Sequence, residues 1–153
     1  MLKWDLVQHR ITVSPYEINN MAEALKKVRS GIGNNVTSSS TILGYLSGAL
    51  GAVSVFLFRF PKASVATAVA GLVADIFSKN VSEKEYIMAH MQHGINGLKK
   101  VYNNTKITFD KVEVTFPYWK VTETRTGATK LYFVCSEGRV HAGYKDGRRI
   151  PLD

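Results

Sequence analysis

TILGYLSGALGAVSVFLF, residues 41–58, is followed by RFPK at 59–62 and by ASVATAVAGLVA at 63–74. Both long stretches are apolar or small on every face, and no charged residue occurs anywhere from Ser30 to Phe58. A helix of that kind is either fully buried in protein or inserted in lipid. The two cations and the proline of the intervening tetrapeptide interrupt it. Residues 41–77 are therefore predicted to form an antiparallel hydrophobic helical hairpin with a basic tip.

Within the hairpin, Gly44, Gly48 and Ala52 recur every four residues, and Ala63, Thr67 and Gly71 do the same in the second arm. Such stripes let helix backbones approach closely, which suits association in lipid, where van der Waals contact replaces the hydrophobic effect. At a rise of about 1.5 Å per residue the first arm nearly matches a hydrocarbon core of about 30 Å. Gly44, Gly48, Ala52, Phe56, Phe58 and Gly71 are the candidates for insertion and helix packing. Arg59 and Lys62 are the candidates for contact with lipid headgroups. The competing expectation is that the same hairpin forms the core of a water-soluble bundle.

Amphipathic helices flank this segment. Upstream, Ser14-Pro15-Tyr16-Glu17 supplies an N-cap, a proline at the first helical position and the glutamate of a capping box. A helix is expected from Pro15 to about Arg29, burying Ile18, Met21, Ala22, Leu25 and Val28. Downstream, SEKE at 82–85 starts another helix that runs to about Tyr102, with Tyr86, Ile87, Met91, Ile95, Leu98 and Val101 near one face. Before the first helix, WDLVQHRITV at 4–13 alternates loosely enough to be an edge strand.

After Thr105 the period changes to two, with Val112, Val114 and Phe116 set against Lys111, Glu113 and Thr115. Turn signals at Gly127, at 136–138 and at Lys145-Asp146-Gly147 separate strands near 118–124, 130–135 and 139–144. The expected fold class is α+β: a helical bundle with a central hydrophobic hairpin, followed by a C-terminal antiparallel β-meander. All 153 residues are read as a single domain, with 1–104 mainly helical and 105–153 β.

Twenty Lys and Arg against twelve Asp and Glu give a net charge of +8. That surplus favours anionic lipid, nucleic acid or another polyanion as a partner. Cys135 is the only cysteine, so an internal disulfide and a cysteine-based metal site are excluded. The N-terminal residues lack the pattern of a secretory signal.

His90 and His93, one turn apart, are too few ligands for a metal site, so no metal and no cofactor are expected. Their protonation in mild acid can nevertheless loosen a helix that covers the hairpin, which makes them candidate pH sensors. No paired carboxylates, phosphate loop or Ser-His-Asp pattern is recognisable locally, and the expectation is a protein that is not an enzyme. Triads assembled in space are invisible in a single sequence. Lys145, Arg148 and Arg149, with Tyr118, Trp119, Tyr132 and Tyr144, could instead build a basic aromatic surface on the sheet.

The uncharged Gly/Ala-rich arms and short turn of residues 41–77 resemble the hydrophobic hairpin of colicin-type pore-forming toxins and the helices of membrane-active bacteriocins. The resemblance implies killing by membrane depolarisation, with a target-cell membrane and anionic lipid as partners and a cognate immunity protein in the producer. The leading expectation is therefore a small bacterial antimicrobial toxin, secreted or released, that associates with membrane and inserts its hairpin. The alternative is a non-enzymatic binding module with a basic β surface for nucleic acid or a protein partner.

Overall fold

A computed structural model of the chain describes residues 2–33, 81–123 and 130–153. They form two α-helices and an antiparallel sheet of five strands, an α+β architecture. The predicted hairpin at 41–77, and with it Gly44, Gly48, Ala52, Phe56, Phe58, Arg59, Lys62 and Gly71, lies outside the described residues.

Strand β1, Leu2–Val13, is the expected edge strand. Ser14 then ends it and caps helix α1, Pro15–Gly33, its Oγ accepting the Glu17 N–H at 3.1 Å. That bond satisfies one of the donors that a helix start leaves without an internal partner. Helix α2, Val81–Thr105, extends three residues past its expected end, and the Thr105 hydroxyl donates to the Val101 carbonyl at 2.6 Å.

The two helices run antiparallel. Lys99, late in α2, binds Asn19 and Glu23 of α1, whereas Arg29, late in α1, donates to the carbonyl of Met88. The Lys99 hydrogen bond holds the Glu23 carboxyl below the usual carboxylate range. All five predicted core positions of α1 are buried, as are Ile87, Met91, Ile95, Leu98 and Val101 of α2. Tyr86 departs from the expected stripe and is 48% exposed.

Strand β2, Lys111–Glu123, is one continuous strand where two segments were expected on either side of Pro117. It pairs with β1 over residues 112–123, from Val13↔Val112 to Leu2↔Glu123. Its other edge carries two short strands end to end: β3, Lys130–Val134, opposite residues 118–122, and β4, Arg139–Lys145, opposite 111–115. The strands follow one another antiparallel as expected, but β4 pairs with β2 and not with β3. The reason is length, since 13 residues of β2 can seat both. Strand β5, Arg148–Pro151, closes on β4 through Asp146 and Gly147, both at positive φ (52° and 78°), which is the turn that an Asp-Gly pair favours in a two-residue hairpin.

Val112, Val114, Phe116 and Tyr118 of β2 are fully buried and join α1 and α2 in one core. Two glycines let α2 lie directly on the sheet. A Cβ at Gly94 would collide with the carbonyl of Val134, and one at Gly97 with the backbone of Ser136 and Glu137. Among the described residues no helix is long and apolar enough to cross a membrane.

Candidate functional site

Because α1 and α2 are antiparallel, Gly33 and Val81 lie at the same end of the pair. An aromatic cluster marks the same region. Trp4 of β1 packs edge-on against Tyr86 of α2 at 6.1 Å, Trp119 of β2 at 5.9 Å and Phe133 of β3 at 6.5 Å. Leu6, opposite Trp119 in the register, is 58% exposed, and Lys26 and Lys27 are exposed in the C-terminal half of α1. Trp4 and Trp119 pack against the core and the Trp119 indole nitrogen is buried, so the cluster joins the start of α2 to the sheet.

His90 sits within this cluster, 4.4 Å from the Tyr86 ring and 4.9 Å from Trp119, with the His93 ring at 6.3 Å. Burial, and then the charge of His93, push its pKa below the ordinary value of 6.5. The folded state thus binds fewer protons at His90 than the unfolded chain does. The stability this confers is full above pH 6.5 and is lost as pH falls from there through the depressed folded value. Urea unfolding midpoints are expected to drop on acidification through that window, and His90→Gln should flatten the drop. A slope unchanged by the substitution would remove His90 from the account. Among the described residues no group of three or more His, Cys, Asp or Glu is placed to hold a metal.

A second constellation occupies the charged face at the other end of the sheet. Glu113 accepts from Arg10 at 3.1 Å, from Arg149 at 2.5 Å and from the Tyr144 hydroxyl at 3.0 Å, tying β1, β2, β4 and β5 together. The Arg149 bond, more than the others, holds its carboxyl low. Two residues along β2, the Thr115 hydroxyl lies 2.7 Å from His141 Nε2, and His141 Nδ1 lies 2.9 Å from the Asp153 carboxylate.

The basic aromatic surface is only partly assembled. Lys145 faces Asp110 at 3.9 Å and Arg149 is held by Glu113, while Arg148 is exposed. Tyr118 is buried, which pushes its phenol above the usual range, and Trp119 packs with Trp4 and His90. Cys135 is also buried, its thiol pushed up to about 11, so it is a poor nucleophile at neutral pH.

Sequence reasoning found His90 but not its packing against Tyr86 of α2 and Trp119 of β2. It missed Thr115, His141 and Asp153 altogether, because no local spacing announces them. No known protein family, curated protein or solved structure matches the chain.

Proposed function

We propose that the chain is a membrane-active protein of the bacteriocin type, released from its producer, that permeabilises a target-cell membrane by inserting residues 41–77 as a helical hairpin. The observation that supports this reading is that Gly33 and Val81, which bound residues 34–80 in the sequence, lie at the same end of the α1–α2 pair, towards the cluster of Trp4, Tyr86 and Trp119. A hydrophobic segment joined at both ends to one end of the helix pair can enter lipid while the two helices and the sheet stay folded. Exposed cations such as Lys26 and Lys27 add about 1 kcal/mol each where the lipid is anionic. A cognate immunity protein for the producing cell belongs to the same proposal.

Acid should assist the step. Protonation of His90 weakens the packing of α2 in its N-terminal half, so dye release from anionic vesicles is expected to rise as pH falls below the ordinary histidine value.

The test is leakage from vesicles containing phosphatidylglycerol. An arginine at the centre of an inserted helix costs about 2.5–3.5 kcal/mol, so Gly48→Arg should lower leakage on the order of 100-fold. Absence of leakage by the unaltered protein, at neutral and acidic pH alike, would overturn the reading.

A further inference from the structure

We propose that Thr115, His141 and Asp153 form a hydroxyl–imidazole–carboxylate relay that makes the charged face of the sheet an acyl-transfer centre for small esters whose acyl part carries a negative charge. This centre is independent of residues 41–77 and departs from the expectation of a protein without enzymatic activity.

The hydrogen bonds define the direction of the relay. Arg139 lies 3.4 Å from Asp153, and the His141 bond, with the charges of Arg139 and Arg10, holds the Asp153 carboxyl below the usual range. An ionised carboxylate only accepts, so a neutral His141 donates from Nδ1 and presents a bare Nε2 to the Thr115 hydroxyl. The hydroxyl then donates to Nε2 at 2.7 Å, the relation between nucleophile and general base in hydrolytic triads. Asp153 fixes the tautomer and is a positioning residue.

The backbone aims the imidazole deliberately. The β2–β4 register moves from Glu113↔Ala142 to Val114↔Val140, which leaves His141 as the extra residue of a bulge. Bulges turn a side chain out of its ordinary alternation. The ring bonds are not needed to tether the last residues of the chain, because the Leu152 N–H already donates to the His141 carbonyl at 2.8 Å.

Two arginines supply the binding charge. Thr115 stands opposite Arg10 in the β1–β2 register and opposite Arg139 in the β2–β4 register, so a guanidinium-bearing position flanks the hydroxyl on each side. Each guanidinium has five N–H donors, and the bonds to Glu113 and Asp153 use only part of that capacity. The remaining donors face an anionic acyl group and the oxyanion that develops on its carbonyl.

In the reaction, Thr115 Oγ1 attacks the ester carbonyl and its proton passes to His141 Nε2. The C–O bond to the alcohol breaks, and Nε2 returns the proton to the departing alkoxide. Water then attacks the threonyl ester, giving its proton to Nε2, and the carboxylate product leaves as Thr115 recovers its hydrogen.

The experiment uses the full chain with the mono-4-nitrophenyl ester of succinate and, as the uncharged comparison, 4-nitrophenyl acetate. A burst of nitrophenolate with a succinyl group mapped to Thr115 by mass spectrometry is expected. Thr115→Val and His141→Gln should lower the acylation rate by about 10²–10⁴-fold, and Thr115→Ser should restore it. Arg139→Gln should raise KM for the succinyl ester more than for the acetyl ester, and so narrow the preference between them. Mapping on the unaltered protein needs no variant to fold. Turnover no faster than free imidazole at the same concentration, or acylation confined to lysines, would overturn the proposal.

Discussion

Replacing Gly94 by valine should cost the protein several kcal/mol, with the urea midpoint falling far below that of the native chain. The Cβ alone already overlaps the Val134 carbonyl, and the next nearest atoms are the Val134 carbonyl carbon and a methyl group of Leu25. A peptide carbonyl held in a β-ladder cannot swing away as a flexible side chain can. The helix must instead lift from β3, which separates Met91, Ile95 and Leu98 from the core. Overpacking of a close-packed interior costs about 1–3 kcal/mol even where side chains can adjust, and here the obstruction is backbone. Gly94→Ala should show the same effect in smaller measure. A midpoint unchanged by valine would mean that α2 does not lie against β3 in solution.

Phe116→Ala should be the most damaging truncation in the sheet, at about 3–5 kcal/mol. Phe116 is wholly buried at the middle of the longest strand, and its ring fills the space beside Gly138, where no Cβ could fit. Loss of the ring leaves a cavity between β2 and the 135–138 link that α2 covers through Gly97. Because the chain is mid-sized, such a loss lowers the melting temperature by roughly 2–4 °C for each kcal/mol. The variant should also exchange its β2 amides faster. A shift below 1 °C would show that the ring is not part of the packed interior.

Much of this architecture is legible in the residues because the signals are local. Ser14 with Glu17, the 3–4 spacing from Ile18 to Val28, the alternation from Val112 to Phe116 and the Asp146–Gly147 turn each fix an element through nearest neighbours along the chain. Pairings across distance are not written that way. Nothing near Pro117 says that β3 and β4 share one edge of β2, and nothing near Tyr86 says that it belongs to an aromatic cluster with Trp4 instead of to the core.

The same limit explains the two candidate sites. His90 draws notice through His93, one turn away, but its environment depends on β1 and β2. Thr115, His141 and Asp153 are separated by 26 and 12 residues, and only the bulge at His141 brings them into line. A register shift of that kind arises from ladder hydrogen bonding, which no periodicity of side chains records.

The pairing of β1 with β2 also sets a timetable. During synthesis, Val13 emerges 110 residues before Glu123, and at about 5–20 residues per second that interval is roughly 5–20 s. Until it ends the first strand lacks the far end of its partner, and the uncharged stretch 41–58 emerges during it, its last residue 65 positions ahead of Glu123. The long β1–β2 pairing is therefore completed only after the uncharged stretch has left the ribosome.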